Sequence, residues 1–328
     1  MKYIKMILPA LLTVALTCIL LLYLSNLTAP KNNTQEAGHD AWAAYGFEAE
    51  PADSIDAVIL GDSESRTNMS PMEMFHIAGF TSYCCGINME NLSEAYEMLK
   101  LVFRYQSPKL VILDCNCIFS SFDWKDALMT TAESVFPVIR WHDRWKDLKP
   151  EDFTTVSAYT SREVRKGYYH AMRSNAAPAE LTDIYMAESD DRDPIGAINE
   201  YYVKRIDSFC RKKGASLLLL ATPSVKNWNY ARHNACMDLS KELEIPFLDL
   251  NLMPEEVPID WSVDTRDEGD HLNNDGMKKV CDWLAPYLRE TYQLEDHRDD
   301  PAYDASWTDL YNEYTEVINT WPKKDSDS

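Results

Sequence analysis

A short apolar run that ends in Gly-Asp-Ser constrains the fold of this chain more than any other feature. The segment Ala57–Leu60 is apolar throughout, and Gly61, Asp62 and Ser63 follow it directly. An uninterrupted apolar run of this length is typical of a strand that is buried on both faces of a parallel sheet. Ligands bind at the carboxyl ends of such strands, so Ser63 lies where a nucleophile would be exposed. The alternative is that Asp62 and Ser63 are only turn residues.

Further apolar runs follow at intervals and alternate with segments of helical periodicity. The predicted strands are Ala57–Leu60, Phe80–Cys84, Leu110–Leu113, Ser216–Ala221 and Phe247–Leu250. The predicted helices are Pro71–Ala78, Leu92–Tyr105, Ile195–Lys213, Trp228–Glu244 and Met277–Tyr292. Strands that alternate with helices form parallel sheets covered by helices on both faces. The sequence therefore predicts an α/β fold, a three-layer α/β/α doubly wound sheet.

The N-terminal segment predicts a membrane anchor. Residues from Met6 to Leu24 are apolar and uncharged, and Lys2 and Lys5 precede them. A run of this length can cross a bilayer, and lysines on its N-terminal side favour a cytoplasmic N-terminus. The rest of the chain is then expected outside the cytoplasm. A cleaved signal peptide is the alternative.

The charge and the cysteines exclude several classes of partner and cofactor. The formal net charge is −21, and Glu36 is the first acidic residue, so the exported part is strongly acidic. This argues against nucleic acid, or any anionic polymer, that is bound by charge alone. The eight cysteines show no regular spacing that would indicate a disulfide framework. Cys84, Cys85, Cys115 and Cys117 lie at predicted strand ends and are expected to be small buried side chains, so we predict no metal and no cofactor.

The same patterns predict the boundaries of the parts. Residues 1–27 form the anchor, and residues 28–51 form a polar tether. Residues 52–294 form the α/β domain, with an insertion at about 119–194 that is rich in Trp and Tyr and lacks a clear buried strand. Residues 295–328 form an acidic tail with apolar residues at helical spacing, which either packs on the domain or meets a partner.

One histidine is placed to serve a serine nucleophile. His271 lies between the last predicted strand and the last predicted helix, in a loop that opens on the same sheet edge as Ser63. A serine nucleophile needs a base within hydrogen-bonding distance, an acid that orients the base, and donors for an oxyanion. Asp267, Glu268 and Asp270 are the candidate acids; Asp267 and Glu268 are favoured, since Asp270 would need an unusual turn.

These residues resemble the motifs of the SGNH (GDSL-like) hydrolase superfamily. The resemblance lies in Gly61-Asp62-Ser63, in Gly86 after the second strand, in Asn116 after the third, and in Glu268-Gly-Asp-His271-Leu-Asn near the end. It implies that Ser63 is the nucleophile and His271 the base. It also implies that Gly86 and Asn116 complete the oxyanion hole with the Ser63 N–H. The family's acid lies three residues before the histidine, where this chain has Glu268 in place of the usual Asp.

The anchor, together with His271-Leu-Asn-x-x-Gly276, is similar to the accessory proteins of cell-envelope O-acylation. These include the DltD proteins of teichoic-acid D-alanylation and the alginate O-acetylation proteins. The segment from Phe136 to Phe153 resembles the lid region of that group. This resemblance implies an acyltransferase or esterase that acts on an envelope glycan or glycopolymer beside a membrane-bound O-acyltransferase. The alternative is a non-catalytic scaffold or polymer-binding partner with the same fold.

Overall fold

The structure, a computed structural model, describes residues 2–320, and the last eight residues of the predicted tail lie outside this range. Within the described residues, five strands form one parallel sheet. The strands are β1 (Ala57–Leu60), β2 (Ser82–Cys84), β3 (Leu110–Asp114), β4 (Ser216–Ala221) and β5 (Phe247–Asp249).

Helices precede, connect and follow the strands. They are α1 (Lys2–Thr28), α2 (Ser63–Asn68), α3 (Pro71–Ala78), α4 (Leu92–Tyr105), α5 (Trp124–Val135), α6 (Val138–Trp141), α7 (Ala179–Thr182), α8 (Ala197–Lys213), α9 (Tyr230–Leu243), α10 (Asn274–Tyr292), α11 (Pro301–Tyr303) and α12 (Asp309–Thr320). Short 3₁₀ helices cover Trp42–Ala49, Cys115–Phe119, His142–Asp147, Pro150–Phe153 and Leu250–Leu252, and a π-helical turn covers Asp304–Thr308.

The strand order is β2-β1-β3-β4-β5, and each neighbouring pair is parallel. The order reverses beside β1, because β2 and β3 flank it on opposite sides. This is the flavodoxin-like doubly wound arrangement, in which the ligand site lies at the carboxyl ends of the strands near the reversal. The predicted α/β sheet with helices on both faces is confirmed. Ser63 follows β1, the strand at which the order reverses.

Both faces of the sheet are buried, as the uninterrupted apolar runs require. Ile59 and Ile112 lie in a core cluster with Met277 of α10, and each is fully buried. Val58 on the opposite face of β1 is also fully buried. Since side chains alternate between faces along a strand, an apolar residue at every position needs a helix layer on each side.

Contacts divide the chain into two compact units. The first comprises residues 2–42 and Asp123–Ser161, and the second comprises Ala43–Phe122 and the chain from Arg162 onward. The first unit therefore holds α1 together with part of the predicted insertion. The second holds the sheet, the 3₁₀ helix with the fully buried Phe47, and the rest of the insertion. The predicted domain boundaries remain predictions.

Helix α1 is the one helix in the described part of the chain that is long and apolar enough to cross a membrane. Its apolar stretch Ile7–Thr28 has 22 residues, and an 18-residue window within it has a mean hydropathy of 2.5. Only length and composition support α1 as a candidate membrane span, and a signal sequence near an N-terminus has the same properties.

The C-terminal segment contributes to the core of the second unit. Trp307, Tyr314 and Ile318 are buried in the same cluster as Ile59 and Met277. Before them, His297 Nε2 lies 2.8 Å from a carboxylate oxygen of Asp56, the residue that precedes β1. The helical spacing of apolar residues in the predicted tail thus corresponds to a helix, α12, that packs on the domain.

Candidate active site

Ser63 is positioned by a sharp turn at the carboxyl end of β1. Gly61 has a φ of +140°, and a Cβ there would lie 2.6 Å from Cβ of Asp114, so a side chain is excluded. Helix α2 begins at Ser63 itself, and Asp62 Oδ1 accepts the Glu64 N–H at 3.0 Å as its N-cap. The turn and the cap together place the hydroxyl of Ser63 at the sheet edge.

Ser63, His271 and Asp267 form a continuous hydrogen-bonded chain. His271 Nε2 lies 2.7 Å from Ser63 Oγ, although 208 positions separate the two residues. On the other side of the ring, His271 Nδ1 lies 2.7 Å from Asp267 Oδ2. Because Nδ1–H donates to the carboxylate, Nε2 is free to accept the hydroxyl proton of Ser63. The arrangement is that of a serine nucleophile with its base and its orienting acid.

The turn between Asp267 and His271 decides which acid faces the imidazole. Glu268 and Gly269 both have left-handed backbone conformations, with φ of +66° and +90°. This turn places the Asp267 carboxylate next to the His271 imidazole, and Asp267 Oδ1 also accepts the His271 backbone N–H at 2.7 Å. Glu268 Oε2 instead lies 3.3 Å from Lys226 Nζ, and the Glu268 side chain is 53% exposed. The geometry therefore favours Asp267 over Glu268.

Asp270, the third candidate acid, is directed elsewhere. Its Oδ1 lies 3.5 Å from His271 Nδ1 but accepts a hydrogen bond from Asn227 Nδ2 at 2.6 Å. Asp270 therefore adds negative charge beside the imidazole without forming its principal hydrogen bond.

The environment of Asp267 favours the charged carboxylate. Burial raises its pKa, but the hydrogen bonds and charge of His271 and the charge of Arg266 outweigh burial and lower the pKa overall. Arg266 Nε lies 3.3 Å from Asp267 Oδ2. An ionised acid at this position would hold the imidazole in one tautomer and would stabilise an imidazolium if His271 took the Ser63 proton.

Asn116 lies beside Asp62 at the end of β3. Its Nδ2 donates to Asp62 Oδ2 at 2.7 Å, and its Oδ1 accepts from Arg232 Nη1 at 2.9 Å. Because arginine only donates, it fixes which end of the amide is the oxygen. The NH₂ group is therefore turned toward the Gly-Asp-Ser turn, which is the orientation that an oxyanion donor needs.

Gly86 lies against the same turn. A Cβ at this position would lie 2.0 Å from Ser65 Oγ and 2.9 Å from the carbonyl oxygen of Gly61. The next residue, Ile87, donates its N–H to that carbonyl at 3.1 Å. Only glycine allows this close approach of the two loops. The structure thus brings Gly86, Asn116, Ser63, His271 and Asp267 to one edge of the sheet.

Three buried carboxyl groups, those of Asp62, Glu64 and Asp114, lie in or against the Gly-Asp-Ser turn. Burial raises the pKa of Asp62, and it raises those of Glu64 and Asp114 well above their ordinary values. Repulsion from nearby carboxylates adds to each rise: from Asp270 at Asp62, from Asp114 and Asp62 at Glu64, and from Asp62 at Asp114. Glu64 Oε1 accepts from Asn227 Nδ2 at 2.7 Å, and the same nitrogen donates to Asp270. Asn227 thus links the helix that begins at Ser63 to the loop that carries His271.

Replacing Glu64 with Gln is expected to flatten the pH dependence of stability. Above the ordinary glutamate pKa of 4.5 and below its raised folded value, the native chain keeps a proton that the unfolded chain releases. The free energy of unfolding therefore falls with rising pH in this window, by at most about 1.4 kcal/mol per pH unit. Glu64→Gln can still accept from Asn227 but does not titrate. Chemical denaturation at several pH values measures the free energy of unfolding of both proteins. That of the variant should rise relative to that of the parent as pH rises. A difference that does not change with pH would contradict a raised pKa for Glu64.

Asn227 and Arg232 were not identified from the sequence. Asn227 lies in the loop after β4, and Arg232 lies in the first turn of α9, where its Nη1 also donates to the Asn227 carbonyl. The rule that singles out Ser63 applies to them too, since loops after neighbouring parallel strands meet at one edge. Asn and Arg in such a loop carry no further signal that distinguishes them from caps and surface residues.

Two further arginines flank the site. The guanidinium groups of Arg66 and Arg266 lie 5.1 and 5.0 Å from the centre of the Tyr169 ring. Arg66 follows Ser63 on the same helix, and Arg266 precedes Asp267. Burial lowers the pKa of Arg66, and its side chain hydrogen-bonds to Asn88 Oδ1 at 3.2 Å. In a chain of formal charge −21, this places positive charge locally beside the nucleophile.

One group in the described part of the chain has the ligand types and spacing for a metal ion. It consists of Asp267, Asp270 and His271, whose ligand atoms lie within 4.8 Å of one another. A cation there would compete with the His271–Asp267 hydrogen bond. Asp267 and His271 hydrogen-bond in the chain to Ser63, and Asp270 accepts from Asn227, so each side chain has a partner without an ion. The absence of a metal stays a prediction.

The sequence matches no protein-family profile and no curated protein. Solved structures that resemble it include the lipase/acylhydrolase from Enterococcus faecalis, which is 8% identical, with a TM-score of 0.38 and coverage of 74% of this chain and 98% of that chain. A GDSL-like lipase from Bacteroides thetaiotaomicron VPI-5482 is 10% identical, with a TM-score of 0.34 and coverage of 72% and 88%. Both likenesses are distant, and the fold assignment follows from the strand order, the parallel pairing and the helix layers described above.

Proposed function

We propose that this chain is a membrane-anchored serine esterase or O-acyltransferase of the SGNH type. Its substrates would be O-acyl groups of a cell-envelope glycan or glycopolymer outside the cytoplasm. The observation that carries the proposal is the pair of 2.7 Å contacts that join Ser63 Oγ, the two ring nitrogens of His271 and Asp267 Oδ2. This arrangement serves acyl transfer whatever the acceptor.

In the first half of the reaction, Ser63 Oγ attacks the carbonyl carbon of an acyl ester. His271 Nε2 takes the hydroxyl proton, and the carbonyl oxygen becomes an oxyanion. Asn116 Nδ2 and the N–H groups of Gly86 and Ser63 would stabilise this oxyanion. When the tetrahedral intermediate collapses, the ester bond to the leaving alcohol breaks. The alcohol takes the proton from His271, and the acyl group remains on Ser63.

In the second half, an acceptor hydroxyl attacks the acyl-Ser63 carbonyl. His271 removes the proton of this hydroxyl, and Ser63 Oγ leaves and regains a proton from the imidazolium. A sugar hydroxyl as the acceptor gives transfer, and water gives hydrolysis. Both outcomes use the same residues, so the acceptor alone separates an acyltransferase from an esterase.

Replacing Asn116 with Ala is expected to lower kcat for an aryl acetate by about 10²- to 10³-fold, the usual cost of losing one oxyanion donor. KM should change little, because the charge that Asn116 stabilises exists only in the transition state. Steady-state kinetics with the parent and the variant measure both constants. An effect confined to KM would indicate a role in substrate binding.

The proposed membrane anchor and the proposed acceptor each have separate support. Helix α1 has the length and hydropathy of a membrane span. The guanidinium groups of Arg66 and Arg266 beside Tyr169 suit an acceptor that carries anionic groups near its hydroxyls. A neighbouring membrane-bound O-acyltransferase would supply or receive the acyl group, as the resemblance to envelope O-acylation proteins implies.

Trapping the acyl-enzyme tests the proposal. The full-length protein would be mixed with 4-nitrophenyl acetate and quenched in acid within seconds. We expect a burst of nitrophenolate and an acetylated peptide that contains Ser63. Adding soluble oligosaccharides then measures how the acetyl group partitions between sugar and water. The absence of the burst, of the acetylated peptide and of any steady nitrophenolate release would overturn the proposal and favour the non-catalytic scaffold.

A further inference from the structure

Helix α5 carries an apolar face that is exposed. Trp124, Leu128 and Val135 are 58%, 70% and 53% exposed. At about 100° per residue, their positions on the helix lie within about 40° of one another. Asp126 and Glu133 lie on the opposite side of the helix by the same geometry. The helix is thus amphipathic, with its apolar face outward.

Other exposed apolar side chains lie in the same compact unit. Trp145, Phe153 and Val156 are 64%, 58% and 72% exposed. Together with the α5 face and Met129, they make up more than half of the exposed large apolar side chains outside α1 among those the structure describes. Such a concentration in one segment marks a surface that contacts something apolar.

The unit also contains the end of the apolar helix α1. Helix α6 packs along α1, and the Val138 N–H donates to Ser25 Oγ at 3.1 Å. Arg144 Nη1 donates to the carbonyl oxygen of Thr28, the last residue of α1, at 2.7 Å. Val135 is three positions before Val138, so at most about 11 Å of chain separates the end of α5 from Val138, the residue that contacts the last turn of α1.

We propose that α5 lies in the membrane–water interface, with Trp124, Leu128 and Val135 in the boundary between lipid headgroups and acyl chains. This rests on the membrane anchor of the proposed function. If α1 spans the bilayer, its last turn is at the membrane surface, and α5 ends three residues before Val138, which contacts that turn. A helix with one apolar face, and Trp side chains beside a span, suit this interface. Helices α1 and α5 then attach one unit to the bilayer at two places.

Fluorescent labels on the full-length chain test the proposal. Variants with one accessible cysteine would be made in a background with Cys18→Ala, since the other seven cysteines are buried. Leu128→Cys probes the apolar face, and Glu133→Cys probes the opposite side of the same helix. Ile184→Cys is the control for a dye in water, because Ile184 is 66% exposed and belongs to the other unit. Each would carry an environment-sensitive dye in nanodiscs of phosphatidylcholine and phosphatidylglycerol.

The expected result is specific to the face of the helix. The dye at position 128 should emit at shorter wavelength, be quenched by nitroxide-labelled lipid and be at least threefold less quenched by aqueous iodide than the dye at 184. The dye at 133 should remain open to iodide. If position 128 behaves like 184, α5 does not lie in lipid and the proposal is overturned. Protection of 128 in native membranes but not in nanodiscs would overturn it too, because a protein partner would then cover the face.

A label within α1 separates this inference from the proposed function. Leu16 lies in the apolar stretch of α1 and is 58% exposed. Quenching of Leu16→Cys by lipid nitroxide, without quenching at 128, would leave the anchor in place and overturn only the interfacial helix. Without quenching at position 16, α1 is not a span, and both the anchor and this inference fail. Ester hydrolysis by the same preparations reports on the active site independently.

Discussion

Replacing Ser63 with alanine is expected to lower kcat for a simple aryl acetate by at least about a thousandfold, because the acyl group then has no nucleophile to accept it. The fold should persist, since the change removes one hydroxyl whose described partner is the His271 ring. Thermal unfolding of the parent and the variant checks the fold, and nitrophenolate release checks activity. Parent-like hydrolysis by the variant would show that another residue is the nucleophile.

His271→Ala should cost nearly as much as Ser63→Ala, and the double variant should be little slower than either single one. The reason is that the base acts only through the hydroxyl that it deprotonates, so the two losses do not multiply. A double-variant cycle on kcat measures this coupling. Fully multiplicative losses would mean that the 2.7 Å contact between the two residues does not operate in catalysis.

Replacing Asp267 with Asn is expected to lower kcat by about 10⁴-fold, the cost of losing the orienting acid in the serine protease template. An amide can donate to Nδ1, which leaves Nε2 protonated and unable to accept the Ser63 proton. The amide also does not stabilise the imidazolium. The pH profile of kcat/KM, compared with that of the parent, shows whether the imidazole is what has changed.

Glu268→Gln is the matched control, because it removes the same charge one position away. In the parent, the Glu268 carboxylate pairs with Lys226 and is more than half exposed. The activity of Glu268→Gln should therefore stay within a few-fold of that of the parent. Asp270→Asn should also have a much smaller effect than Asp267→Asn. If Glu268→Gln or Asp270→Asn collapses activity while Asp267→Asn does not, the loop adopts another turn in solution.

The sheet could be predicted because buried parallel strands leave a simple pattern. β1 and β4 have the predicted bounds, Ala57–Leu60 and Ser216–Ala221. Helix α2 could not be predicted, since Ser63–Asn68 has no apolar periodicity. It forms because Asp62 caps its start and because Asn68 Nδ2 donates to Thr222 Oγ1, a residue distant in sequence, at 2.9 Å. Such tertiary support leaves no local signal.

The sequence predicts Ser63 and His271 as members of the candidate site, but it does not predict which acid contacts His271. Ser63 and His271 follow from loops that open on the same sheet edge. The choice between Asp267 and Glu268 depends on two consecutive left-handed residues, Glu268 and Gly269, and the first of these is a non-glycine that rarely adopts this conformation. The spacing of acids in the sequence says nothing of that turn.

Labelling with a fluorophosphonate tests the central claim, that Ser63 is an activated nucleophile, most directly. The reagent bonds covalently only to a serine whose proton a neighbouring base removes. With the full-length protein, we expect one adduct, on the peptide that contains Ser63, which disappears in Ser63→Ala and forms much more slowly in Asp267→Asn. An unlabelled Ser63 in the folded parent, or an adduct that persists in Ser63→Ala, would contradict the claim.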